Sequence, residues 1–121
     1  MPLRERVLVV EDDPQLASLY CSALSMRGIA CVKAGDGFAA LRAIEENRPS
    51  LIVLDLNLPS VDGRTILKDL AANPATSEIP VIVVTGEPKP DLQHALVVLC
   101  KPCDPDHVAK IVADHLPAPR G

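Results

Sequence analysis

The sequence predicts an α/β domain: a doubly wound, five-stranded parallel sheet of order 2-1-3-4-5 with helices on both faces. Three observations lead there. Short apolar runs near residues 6–10, 30–33, 50–55, 80–85 and 96–100 alternate with stretches of helical period. The strongest runs, such as Val7-Leu8-Val9-Val10 and Leu51-Ile52-Val53-Leu54, are apolar at every position, the mark of strands buried on both faces of a parallel sheet. Five such units in 121 residues fill one domain with a single core, so residues 1–121 are read as one unit.

Each element follows from local chemistry. After the first strand, Leu16, Leu19, Tyr20, Ala23 and Leu24 form one apolar stripe on a helix that starts at Pro14 and is closed by Gly28. Asp13, just before Pro14, reads as its cap. A short strand, Ala30–Lys33, precedes a helix capped by Asp36, with Ala40, Leu41 and Ile44 inward and an end before Pro49. The third strand, 50–55, leads to a helix capped by Asp62, with Ile66, Leu67 and Leu70 inward, stopped by Asn73-Pro74. The fourth strand is Pro80–Thr85 and the fifth is 96–100. The last helix has Asp104 as cap, Pro105 at its first position, and Val108, Ile111 and Val112 inward. Pro117–Gly121 reads as a frayed end or the start of a linker.

Composition narrows the function. No apolar run is long enough to span a bilayer, and the first residues lack the pattern of a signal peptide, so no membrane role and a cytoplasmic location are expected. Net charge is −4 with scattered basic residues, and a single Phe, a single Tyr and no Trp leave no base-stacking surface, so direct nucleic-acid binding is not expected. Four cysteines in such a chain are expected to be free thiols: Cys21 and Cys31 as small core residues, Cys100 and Cys103 as a C-x-x-C around Lys101.

The strand order, that of a flavodoxin-like sheet, carries the functional inference. Strands 1 and 3 lie side by side at the point where the winding reverses, and ligands bind there, beyond the carboxyl ends of the strands. Glu11 and Asp12 end the first strand and Asp55 ends the third, so three carboxylates share one crevice. Acids so close repel unless a cation sits among them, and hard oxygen donors suit Mg2+. Lys101 follows the fifth strand on the same edge, and Thr85 ends the fourth. Read blandly, Thr85 is a strand-favouring residue and Lys101 a surface lysine; the shared edge favours a site for a divalent cation and a phosphoryl group.

In order along the chain, Val9-Val10-Glu11-Asp12-Asp13-Pro14, Val53-Leu54-Asp55-Leu56-Asn57-Leu58-Pro59 with Asp62-Gly63, Val83-Val84-Thr85-Gly86 and Lys101-Pro102 resemble the signatures of a response-regulator receiver domain of two-component signalling. The resemblance covers nearly the whole chain. It implies a phosphorelay domain, a signalling module with no enzymatic turnover beyond its own phosphotransfer and dephosphorylation. Asp55 would accept a phosphoryl group from a sensor histidine kinase or a histidine phosphotransfer protein. Asp12 and Asp55 would ligate Mg2+ directly, Glu11 through water and Asn57 through its backbone carbonyl. Thr85 would hydrogen-bond a phosphoryl oxygen and Lys101 would pair with it. The Lys101-Pro102 bond is a candidate cis peptide. Asn57 and Glu87 occupy positions where receivers tune hydrolysis of the acyl phosphate. The downstream partner, a separate protein or an attached output domain, is not named by the sequence, and a homodimer is allowed. The chain could act alone or as a piece of a longer one.

Two departures qualify the resemblance. Glu87-Pro88-Lys89-Pro90 sets two prolines where the family's fourth helix begins, and Asp91–Ala95 leaves room for at most one turn. Residues 86–95 are therefore expected to be a loop or a single turn, with that helix reduced or absent. The aromatic that the family carries on the fifth strand is Val98 here, and Cys103 stands where a Phe follows Lys-Pro.

Competing readings fail on particular residues. A haloacid-dehalogenase-like phosphohydrolase needs a second aspartate two positions after the nucleophile, where this chain has Asn57. A thioredoxin-like role for Cys100 and Cys103 would need the motif on an early strand-to-helix turn. A zinc site lacks a second ligand pair. The remaining alternative is a phosphorylation-independent pseudo-receiver, against which the complete set Asp12, Asp55, Thr85 and Lys101 argues.

Overall fold

The computed structural model describes residues 6–87 and 92–116. Its elements run β1 (Arg6–Val10), α1 (Pro14–Ser25), β2 (Ala30–Ala34), α2 (Gly37–Glu46), β3 (Leu51–Leu54), α3 (Gly63–Ala72), β4 (Val81–Thr85), β5 (Val97–Cys100) and α4 (Pro105–His115). The strands form one parallel sheet of order β2-β1-β3-β4-β5, as the apolar runs predict.

Alternation along the strands builds two cores. Val7, Val9, Val53, Ile82 and Val84 face one side, where they meet Tyr20 and Leu24 of α1 and Val108 and Val112 of α4. Leu8, Val10, Ile52, Leu54, Val81 and Val83 face the other, against Ala40 and Ile44 of α2 and Ile66, Leu67 and Leu70 of α3. Both faces are covered, so the central strands need apolar residues at every position. Each such Val, Leu or Ile side chain contributes about 1.5–3 kcal/mol on burial.

The predicted caps are all in place. Asp13 accepts from Gln15 N–H at 3.0 Å and Leu16 N–H at 3.4 Å, Asp36 from Ala39 N–H at 2.8 Å, Asp62 from Arg64 N–H at 2.8 Å, and Asp104 from Asp106 N–H at 2.9 Å. Each satisfies an N–H that the helix itself cannot. The apolar stripe of α1 differs from its sequence reading: Leu19 is 54% exposed and Ala17 is buried in its place. A hundred-degree step per residue turns Leu19 just past the sheet, while Ala17 faces it. Leu41 and Ile111 are likewise only half-buried, at the edges of their stripes.

Between β4 and β5 no helix occurs among the described residues, and Gly86-Glu87 and Leu92–Leu96 form bends and irregular chain. Pro88–Asp91, together with the tail 117–121 and the first five residues, lies outside the described residues. Leu92 and Ala95 pack onto the α2–α3 side of the sheet. Val98, the position of the missing aromatic, is 36% exposed on that face.

One expectation about the thiols is overturned. Cys21 of α1 and Cys31 of β2 are joined by a disulfide, with Cα atoms 5.4 Å apart. The edge strand β2 lies under α1, and a helical position facing it brings the two side chains within bonding reach. Cys100 and Cys103 are free thiols, as expected.

Candidate functional site

The sheet ladder continues past the strand ends and sets the site. Glu11 N–H donates to Ala34 O at 3.0 Å, Asp55 N–H to Val10 O at 3.0 Å, and Lys101 N–H to Thr85 O at 2.7 Å. Each site residue is thus the first beyond its strand, held by the neighbouring strand's last carbonyl. Adjacent strands therefore deliver Glu11, Asp55, Thr85 and Lys101 to one edge.

There, one ligand oxygen from each of Glu11, Asp12 and Asp55 lies within 4.8 Å of the others. Glu11 and Asp55 are buried, 3% and 5% exposed, whereas Asp12 faces solvent. The ammonium of Lys101 donates to Glu11 Oε1 at 2.7 Å and to Asp55 Oδ2 at 3.2 Å. Asp55 Oδ1 also accepts from Asn57 N–H at 3.1 Å, and Glu11 Oε2 from Asp13 N–H at 3.2 Å.

The electrostatics follow from burial. Desolvation pushes the Glu11 carboxyl above the ordinary range, against the hydrogen bonds from Lys101 and from the Asp13 amide, and the nearby Asp55 charge adds to the rise. Burial pulls Lys101 down, but its hydrogen bond to Glu11 and the charges of Asp55 and Glu11 outweigh this, and its pKa ends raised. Lys101 therefore stays cationic and partly neutralises the acids. One lysine for two buried carboxylates and a third at the rim leaves a surplus of negative charge, and the donors are all hard oxygens. This set fits Mg2+.

Thr85 is fully buried at the end of β4, where its hydroxyl accepts from Glu87 N–H at 3.1 Å. The Lys101-Pro102 peptide is cis, as the resemblance implies. Asn57 is exposed beside Asp55. Glu87, read as a candidate for tuning hydrolysis, has its carboxylate in an ion pair with Arg64 of α3. Burial pushes the Cys103 thiol up, with the charges of Asp104 and Cys100 adding to the rise, the opposite of an activated redox thiol.

Sequence reading missed three features. The Arg64–Glu87 pair joins segments with no shared motif. The Cys21–Cys31 bond left only a weak signal, two cysteines in one strand–helix–strand unit. Tyr20 was placed in the apolar stripe of α1, and it is buried there. Its hydroxyl, however, has no hydrogen-bond partner among the described residues. Tyr20 and Leu16 line one depression together with Lys101, Pro102 and Cys103.

Gly63 explains how α3 approaches the site. Its N–H donates to Leu56 O at 3.0 Å, and a Cβ there would fall 2.5 Å from Asp55 O and 2.6 Å from Leu56 Cα. Only glycine lets the start of α3 pack directly on the backbone that carries Asp55.

Comparison with known proteins agrees with this geometry. Residues 7–113 match the family described as "Response regulator receiver domain". The DNA-binding response regulator MtrA of Mycolicibacterium smegmatis is 39% identical over 85 residues, 70% of this chain and 36% of that protein. The chain thus matches about a third of the length of that curated relative. Among solved structures, the signal receiver domain of a putative LuxO repressor protein from Vibrio parahaemolyticus superposes with a TM-score of 0.84 at 34% identity, covering 93% of this chain and 90% of that one. The chemotaxis response regulator CheY4 of Vibrio cholerae has the same fold, with a TM-score of 0.84 at 24% identity over 92% of this chain and 98% of that one.

Proposed function

Because the chain belongs to the response-regulator receiver family, whose function is to accept a phosphoryl group in two-component signalling, we propose that Asp55 is its phosphoacceptor. One observation carries this reading: Asp55 is buried at the carboxyl end of the central strand β3, within reach of Glu11 and Asp12 and hydrogen-bonded to Lys101. The donor is a phosphohistidine on a sensor histidine kinase or a histidine phosphotransfer protein. An Asp55 oxygen forms the new O–P bond as the P–N bond of the donor breaks, and the electron pair leaves with the imidazole nitrogen.

The residues around Asp55 have defined tasks. Asn57 N–H holds Oδ1 and thereby orients the carboxylate. Lys101 shifts its hydrogen bond from the carboxylate to a phosphoryl oxygen, where it meets developing negative charge. The Thr85 hydroxyl donates to another phosphoryl oxygen. Receiver domains bind Mg2+ at an acidic pocket; here Asp12, Asp55 and the Asn57 carbonyl would ligate it, with Glu11 acting through water. Bound there, Mg2+ supplies positive charge to the phosphoryl oxygens.

The domain acts as a signalling module in the cytoplasm, and its only chemistry is its own phosphotransfer and autodephosphorylation. No described helix is long and apolar enough to cross a membrane. Residues 1–121 are read as one receiver unit, with 117–121 as a tail or the start of a linker. Incubation with acetyl phosphate and Mg2+ followed by intact-mass measurement tests the assignment. The expected result is a single phosphoryl adduct on the native chain, none on Asp55→Asn, and none when a chelator removes the cation. An adduct that persists in Asp55→Asn would refute the assignment.

A further inference from the structure

We propose that Cys21 and Cys31 form a thiol–disulfide exchange site, served by a small thiol and its disulfide, that controls how firmly Glu11 is held. The pair is open to such a reagent. Both side chains are half-buried, and they line a depression of about 400 Å³ with Ser18, Ser22, Ile29 and Lys33, room enough for a small thiol. Lys33 is two residues from Cys31, on the same face of β2, and its ammonium donates to Ser18 Oγ at 3.2 Å, one turn before Cys21. The thiolate is the reacting form in such an exchange.

The link to the acidic site is in the backbone. The disulfide joins α1 to β2, and the ends of these two elements hold Glu11. Glu11 N–H donates to Ala34 O, the last residue of β2, at 3.0 Å. Glu11 Oε2 accepts at 3.2 Å from the N–H of Asp13, the cap of α1. Oxidation ties these supports together across a sequence separation of 10 residues; reduction leaves α1 and β2 joined by packing and the Lys33–Ser18 hydrogen bond.

The exchange is balanced. The Cys31 thiolate attacks a sulfur of the small disulfide, whose S–S bond breaks and releases one thiolate. The Cys21 thiolate then attacks Cys31 Sγ in the mixed disulfide and releases the second. The protein loses two electrons and two protons, and the reagent is reduced to two thiols. In a reducing compartment, which the proposed kinase partnership implies, a disulfide of this kind is transient rather than structural.

The test uses the full chain equilibrated in mixtures of reduced and oxidised glutathione. Free thiols are trapped with N-ethylmaleimide and located by peptide mass mapping, and amide hydrogen exchange is measured at both extremes. Cys21 and Cys31 are expected to gain and lose the label together and reversibly, while Cys100 and Cys103 remain labelled throughout. Exchange at the Glu11 and Asp13 amides is expected to slow by about threefold or more on oxidation. The Cys21→Ser and Cys31→Ser chains should stay at the faster rate whatever the mixture. Labelling of Cys21 and Cys31 at every ratio overturns the proposal, as does a bond that glutathione cannot reduce. Pairing with Cys100 or Cys103, or equal Glu11 exchange in both states, overturns it too. None of these readouts depends on phosphorylation, so failure here is distinct from failure of the Asp55 assignment.

Discussion

Lys101 and Glu11, ninety residues apart in the chain, meet at 2.7 Å beyond the ends of β5 and β1, and the same ammonium reaches Asp55 at 3.2 Å. The lysine therefore partly neutralises two buried acids, and under the proposed function the same ammonium would meet a phosphoryl oxygen on Asp55.

Lys101→Ala removes that partner from two carboxylates that are almost fully buried. Breaking a buried pair is costly, but Lys101 is itself a quarter exposed, so screening reduces the loss to about 2 kcal/mol. Added Mg2+ should raise the melting temperature of the variant more than that of the native chain, because the cation no longer competes with the lysine. Thermal melts with and without Mg2+ measure both effects; an equal Mg2+ response in the two proteins would count against this account.

Asp12 tests the cation pocket without disturbing the core. It is exposed, so Asp12→Asn should change stability in chelator by no more than about 0.5 kcal/mol. The same substitution should abolish most of the Mg2+-dependent rise in melting temperature. A variant that keeps the full rise would remove Asp12 from the ligand set.

Gly63→Ala would place a methyl group 2.5 Å from Asp55 O and 2.6 Å from Leu56 Cα, both backbone atoms. Neither can swing aside as a flexible side chain would, so α3 or the Asp55 loop must shift. Denaturant titration should show a loss of about 2–4 kcal/mol, together with slower phosphoryl uptake from acetyl phosphate. Native-like uptake in a strongly destabilised variant would mean that α3 moves and Asp55 does not.

Tyr20 is the chain's single tyrosine, and there is no tryptophan, so its absorbance reports on one site. Burial pushes its pKa from 10.0 up to about 12. Between those values the unfolded state loses the phenolic proton first, so stability must fall as pH rises through that window. Lys101, also raised, adds to the fall in the same direction. The tyrosine part is on the order of 2 kcal/mol. Tyr20→Phe should flatten this alkaline loss. At neutral pH it should stabilise the chain by about 1 kcal/mol, since it removes a buried hydroxyl that has no partner among the described residues. Urea titrations at neutral and alkaline pH, run on both proteins, check the two effects.

Much of this molecule was legible in its sequence. Continuous apolar runs encode strands buried on both faces, and Asp13, Asp36, Asp62 and Asp104 mark the four helix starts because an N-cap is a local bargain between one side chain and nearby amides. The prolines after Thr85 argued against a helix, and none occurs among the described residues before β5, while acids or a lysine just past an apolar run put Glu11, Asp12, Asp55 and Lys101 on one edge of the sheet. These are short-range consequences of residue type. Tertiary structure alone decided the rest: that Lys101 divides itself between Glu11 and Asp55, that Glu87 is drawn to Arg64, that Cys21 reaches Cys31, and that the Tyr20 hydroxyl is buried without a partner among the described residues. Those relationships depend on where separate elements come to rest against each other, to within an ångström. Helical period tells which side of α1 faces the sheet, but not which atom of that side finds a partner there.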